Sequence, residues 1–105
     1  MNATVNSENI ARKISELIPG SKTILFGSYA RGDQTADSDF DLCVLVPEMT
    51  GRHMDMRLMI RAAVRDEINL PLDVLVYTYE EFEHSAGFRS RLPYSIKREG
   101  VVLNA

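Results

Sequence analysis

Two aspartates stand two residues apart, Asp39 and Asp41, at the head of an apolar run from Leu42 to Val46. On an extended chain, period two puts both carboxylates on one face, with Cα atoms roughly 6.5–7 Å apart. A third aspartate, Asp73, opens another apolar stretch that ends at Tyr77. If these two strands are neighbours, three carboxylates converge at one end of a sheet. Charges so close repel: at an effective dielectric near 20, a pair at 4–5 Å costs about 3–4 kcal/mol. Divalent cations relieve that cost. Two ions about 3.5–4 Å apart, bridged by carboxylates, serve in-line phosphoryl transfer. All-oxygen ligands plus substrate phosphates suit Mg2+, with Mn2+ as its substitute.

Ten residues separate a Gly27-Ser28 pair from Asp39-Phe40-Asp41. A Gly-Ser turn at a strand end, opening a helical turn, offers backbone N–H groups and a hydroxyl to phosphate oxygens. Gly27 lets the chain approach a ligand closely. Arg31 follows at a spacing that suits either a phosphate contact or a surface salt bridge.

These residues need elements to position them. Ile10, Ile14, Leu17 and Ile18 share one face of a helix that Pro19-Gly20 stops. Thr23 to Phe26 reads as a short strand, and residues 29–38 as a polar loop with one helical turn after Ser28. Asp39 to Val46 is a strand that is apolar on both faces in its second half, hence central in its sheet. Thr50 is the expected N-cap of a long helix reaching about Asn69. Pro71 precedes a strand from Leu72 to Tyr77. Thr78 and Glu81 have capping-box spacing for a helix running through Glu83. A short helix over Tyr94 to Arg98 and a last strand over Val101 to Leu103 complete the chain. The order predicts an α+β or α/β fold with a small mixed sheet flanked by helices.

Composition narrows the function. The chain has 105 residues and a net charge of −3, the balance of a single domain spanning 1–105. Mild acidity argues against direct nucleic-acid binding. One cysteine excludes an intrachain disulfide and an all-Cys zinc site. The stretch from Met1 to Lys13 lacks a signal-peptide core, and the longest apolar run is too short to span a bilayer. A cytoplasmic, membrane-free location is expected.

The segment Leu25-Phe26-Gly27-Ser28-Tyr29-Ala30-Arg31-Gly32, then Ser38-Asp39-Phe40-Asp41-Leu42, resembles the active-site motif of the polymerase-beta-like nucleotidyltransferases. It is most similar to the minimal nucleotidyltransferases (MNT). Pro71 to Val76 resembles that family's third-carboxylate strand, and Ile96 to Leu103 its usual close. The resemblance implies a nucleotidyltransferase palm in which Asp39, Asp41 and Asp73 bind two Mg2+ ions and Gly27, Ser28 and Arg31 face the phosphates of ATP. Asp73 would also help activate the incoming hydroxyl. It further implies an antitoxin that transfers AMP to a tyrosine of a HEPN-domain RNase toxin, within a homo- or hetero-oligomer. Two alternatives are a non-catalytic toxin-binding subunit, and a small-molecule nucleotidyltransferase needing a partner subunit.

Other conspicuous residues have plainer readings. Asp33 and Asp37 are turn formers. Ser38 serves either the loop or the site. Cys43 belongs to the core, and His53 and His84 to the surface. Arg57, Arg61 and Arg65 form a stripe read as a solvated helix face, with a partner or nucleic-acid surface as the alternative. Met54, Met56, Met59 and Tyr94 read as packing or interface.

Overall fold

The structure, a computed structural model, describes residues 5–104; Met1 to Thr4 of the expected leaderless amino terminus, and Ala105, lie outside the described residues. Helix α1 spans Ser7–Leu17, with Asn6 as its cap: Asn6 Oδ1 accepts the Asn9 N–H at 3.1 Å. Ile10, Ala11 and Ile14 are buried. Leu17, expected on that face, is 38% exposed, because the helix ends there and the chain turns away through Pro19-Gly20.

Strand β1 (Lys22–Phe26) leads into a four-residue helix α2 (Ser28–Arg31), and β2 (Phe40–Val46) follows the polar loop. Helix α3 covers His53–Val64 and passes into a 3-10 turn, Arg65–Glu67. Strand β3 (Leu72–Thr78), helices α4 (Tyr79–Ala86) and α5 (Leu92–Glu99) and strand β4 (Val101–Val102) close the fold.

Helix α3 is shorter than the sequence suggested. Its cap is Arg52, not Thr50, because Gly51 turns the chain at φ +79° just before it. The Arg52 N–H donates to Asp55 at 3.3 Å. At the other end Glu67 is drawn to α1, accepting from Asn9 at 3.1 Å and pairing with Lys13 at 3.0 Å. The expected box at α4 is present: Glu81 N–H donates to Thr78 Oγ1 at 3.0 Å, and Thr78 N–H to Glu81 Oε1 at 2.8 Å.

The sheet order is β3-β2-β1-β4. β2 runs antiparallel to β1 and parallel to β3, and β4 is antiparallel to β1. The sheet is therefore mixed, and β2 lies between β1 and β3, as its apolar second half required. Alternation along β2 divides two cores. Phe40, Leu42, Val44 and Val46 pack with Ile10, Ile14, Met56, Ile60 and Val64 of α1 and α3. Cys43 and Leu45 pack with Ile24, Phe26, Phe82 and Ile96 on the side of α4 and α5. Asn104 clasps the chain end onto β1, accepting the Thr23 N–H at 2.7 Å and donating to Ser15 Oγ at 2.8 Å.

Candidate active site

The carboxylates meet where β1 ends and β2 and β3 begin. Asp41, the second residue of β2, is in register with Phe26 on one side and Asp73 on the other. In-register parallel strands lie about 4.8 Å apart. Asp39 sits one residue before β2, which starts at Phe40 rather than at Asp39 as expected. The Phe40 N–H donates to the Pro71 carbonyl at 2.8 Å, which fixes the two strand starts side by side. Burial first, then the charges of Asp73 and Asp39, push the Asp41 carboxyl above the ordinary aspartate value. The structure thus brings Asp41 into electrostatic range of both Asp39 and Asp73.

Gly27 explains itself geometrically. It has φ +76° and ψ −157°, a backbone region essentially reserved for glycine. A Cβ built there would strike the Asp41 carboxylate. The Gly27 carbonyl accepts from Ala30 and Arg31 N–H at 3.1 Å each, winding α2 immediately after it. Ser28 is the first residue of that turn, whose leading N–H groups have no partner within a helix. Gly32, at φ +82°, ends it, its N–H donating to the Ser28 carbonyl at 2.9 Å.

Arg31 stands at the same mouth, exposed and held by two carboxylates. Its Nε donates to Asp33 at 3.1 Å, and its Nη1 lies 3.6 Å from Glu99 of α5. A cleft of about 260 Å³ opens here, lined by Phe26, Gly27, Arg31, Leu92, Ser95, Ile96 and Glu99.

Asp73 faces the arginine stripe of α3. Arg57 Nη2 lies 3.8 Å from Asp73 Oδ1, and Arg61 Nη1 donates to the Leu72 carbonyl at 3.0 Å. The arginine stripe was visible as i, i+4, i+8 spacing, but nothing local showed that it faces the start of β3. Arg61 and Arg65 are exposed, as a solvated face requires, while Arg57 and Arg61 also reach the start of β3.

The remaining expectations resolve simply. Ser38 orders its loop, its Oγ accepting the Thr35 N–H at 2.9 Å. Cys43 is fully buried and its thiol is pushed up to about 12, which makes it a core residue. His53 lies 3.2 Å from Glu81, and His84 stacks edge-on against Phe88. Met56 is buried, whereas Met54 and Met59 are exposed. Tyr94 accepts a hydrogen bond from Arg98 at 3.0 Å.

Among the described residues, no three His, Cys, Asp or Glu side chains form a ready-made metal cage. Mg2+ takes one or two carboxylates and completes its shell with water and substrate phosphates. The donor set is all oxygen, and the Asp41 carboxyl is raised first by burial and then by its two aspartate neighbours. These residues fit such an ion. No helix among the described residues is long and apolar enough to cross a membrane.

Comparison with known proteins agrees with this geometry. The "Putative protein adenylyltransferase MJ0141" of Methanocaldococcus jannaschii is 36% identical over 55 residues, 52% of this chain and 52% of that protein. The chain thus spans about half the length of this curated relative. A solved structure of a toxin-antitoxin with AMP-PNP shares the fold, with a TM-score of 0.62 and 20% identity over 96% of this chain and 74% of that one. A mutant of the toxin-antitoxin MntA-HpeT has a TM-score of 0.60 and 18% identity over the same shares. The nucleotidyltransferase domain model matches residues 7–103, from the first turn of α1 to just past β4. With the Gly-Ser turn, the paired strand starts and the whole sheet inside that match, the chain belongs to the nucleotidyltransferase domain family.

Proposed function

We propose that this domain, residues 1–105, is a Mg2+-dependent protein adenylyltransferase. It moves AMP from ATP to a hydroxyl, a tyrosine of a HEPN-domain RNase toxin, and so acts as a cytoplasmic antitoxin. The observation that carries the reading is the register of Asp41 with Asp73 beside Asp39, packed against a glycine that leaves room for the Asp41 carboxylate. The relative named as an adenylyltransferase and the toxin-antitoxin neighbours support the choice of nucleotide and acceptor.

The division of labour follows from position. Gly27 and Ser28, at the turn into α2, bind the phosphates, and Arg31 lies within reach of the same mouth. Asp39 and Asp41 would hold the Mg2+ that accompanies the triphosphate, and Asp73 would help to hold a second ion. When bound, Mg2+ neutralises the charge that develops on the phosphate oxygens. Asp73 orients the acceptor hydroxyl and draws off its proton. The acceptor oxygen forms a bond to the α-phosphorus. The bond from that phosphorus to the bridging oxygen of the β-phosphate breaks, and pyrophosphate leaves with the electron pair.

The direct test incubates the protein with α-labelled ATP, Mg2+ and host lysate. Label on a protein band is expected, and it disappears with Asp39→Asn/Asp41→Asn. Toxin neutralisation that survives in that double variant supports a binding-only subunit instead. Label confined to small molecules supports a small-molecule transferase.

A further inference from the structure

The cleft of about 260 Å³ at Gly27 and the aspartate row share one face of the sheet. Phe26 and Ile96, which line the cleft, belong to the core on the side of α4 and α5. Alternation along β2 puts Asp41 on that same side, with Cys43 and Leu45. In-register parallel pairing puts Asp73 there with it. Cleft and row adjoin at Gly27, where a Cβ would strike the Asp41 carboxylate. The charge of Arg31, which lines the cleft, is felt at Asp41 and opposes the rise of its carboxyl. A triphosphate laid over the Gly27-Ser28 turn therefore has its far phosphates on the Arg31 side.

An acid in this cleft needs a reason. Glu99 is the last residue of α5, where the helix dipole favours a cation, and Lys97 and Arg98 obey that preference. Glu99 also stands at a mouth read as binding phosphate, which it repels. Its partner lies on another element: Arg31 Nη1 is 3.6 Å away, further than a hydrogen bond, and both side chains are about half exposed. Asp33 holds a different atom of the same group, accepting from Arg31 Nε at 3.1 Å. The guanidinium is thus anchored at Nε from its own loop, while a terminal nitrogen meets a loose carboxylate. Carboxylate and phosphate offer a guanidinium the same kind of anionic oxygen. A long, half-exposed ion pair is weak and yields to a more highly charged anion. Both anomalies disappear if Glu99 occupies the place of a phosphate oxygen.

We propose that Glu99 is the resident counter-ion of Arg31: it holds the guanidinium until a far phosphate of the donor displaces it, and it takes the guanidinium back as pyrophosphate leaves. Glu99 is then a positioning residue that acts through Arg31 and sets how tightly donor and pyrophosphate are held. This rests on the adenylyltransferase reading, and the test separates the two. Binding to the full chain is measured by isothermal titration calorimetry with Mg2+ and two probes, inorganic pyrophosphate and an ATP analogue whose α–β bridge cannot be cleaved. The proteins are wild type, Glu99→Gln, Arg31→Gln and the double variant. Glu83→Gln is the control: that acid is paired with Lys97 at 2.7 Å and lies outside this cleft. Low ionic strength, about 10 mM, keeps screening small.

Glu99→Gln is expected to bind both probes about three- to fivefold more tightly, because no carboxylate has to be displaced. Arg31→Gln should weaken binding about tenfold, and in that background Glu99→Gln should change nothing, since the two act as one pair. In transfer assays Glu99→Gln should lower KM for ATP and strengthen inhibition by pyrophosphate by the same factor. Damage to the fold would weaken binding instead, and thermal melting of each variant checks it. Unchanged or weaker binding by Glu99→Gln overturns the proposal. So does an equal gain in the Arg31→Gln background or in Glu83→Gln, which would make the effect one of overall charge. Absence of label on any hydroxyl acceptor, with the Glu99–Arg31 coupling intact, overturns the adenylyltransferase reading and leaves the counter-ion standing. Transfer that depends on Asp39 and Asp41 but shows no such coupling does the reverse.

Discussion

Replacing Asp41 by Asn should make the protein more stable and inactive at once. The magnitude follows from the register of Asp41 with Asp73. Two unit charges about 4.8 Å apart cost roughly 3.5 kcal/mol at an effective dielectric near 20. Asp73 is 47% exposed, and Arg57 stands beside it. Water, salt and that cation reduce the repulsion to about 1 kcal/mol. Asparagine has nearly the same shape as aspartate, so it keeps the place against Gly27. At pH 7 without ligand, Asp41→Asn should raise the midpoint of thermal unfolding by about 4–8 °C. The sign with pH is fixed by the raised Asp41 carboxyl. The folded state holds that proton more tightly than the unfolded chain, so its stabilising effect is present at low pH and is lost as pH rises through the folded value. The gap between variant and wild type should therefore close below the carboxylate range and open above it. Mg2+ with ATP should narrow it again by stabilising the wild type alone. Differential scanning calorimetry across pH, with and without Mg2+-ATP, reads all of this. A folded Asp41→Asn protein that melts lower than wild type at pH 7 would refute the claim that these carboxylates repel one another.

Three further outcomes follow. Gly27→Ala should lose about 1–3 kcal/mol in urea unfolding from backbone strain alone, and the clash with Asp41 should also lower transfer by more than tenfold. Arg57→Gln should change stability by less than about 1 kcal/mol yet bind Mn2+ more tightly in paramagnetic resonance titrations, because a cation competing for Asp73 is gone. Glu81, held below its ordinary value by the Thr78 N–H and by His53, adds stability that is present at neutral pH and lost as pH falls through its lowered value; Glu81→Gln should flatten the acid limb of the stability profile measured by denaturant unfolding.

Much of the molecule could be read from local pattern, and the exceptions have non-local causes. The strands announced themselves through β-branched and alternating residues, and Thr78 with Glu81 announced a helix start. The convergence of the aspartates needed one fact that no local pattern holds: β2 and β3 are parallel neighbours in register. Thr50 has the right side chain for a cap, but Gly51 at φ +79° places a turn between it and the helix. Periodicity extended α3 to Asn69, whereas the pull of Lys13 and Asn9 on Glu67 ends the regular helix at Val64. The arginine stripe was legible only in part for the same reason. Its spacing shows that the three residues share a face, and only packing shows that the face looks onto β3.

The exposure of the site carries a consequence for catalysis. Asp39 is exposed and Asp73 nearly half so, which leaves the acceptor side of the aspartate row wet. An electrostatic site acts most strongly when water is excluded. In the proposed reaction, ordering ATP between Gly27 and Asp41 is therefore not enough; something must cover Asp73. If the acceptor itself is that cover, docking and activation are one event, and nucleotide bound without acceptor should be turned over slowly. Pyrophosphate release from ATP and Mg2+ alone should then be at least a hundredfold slower than with saturating acceptor. Equal rates with and without acceptor would mean that the aspartate row is complete as it stands.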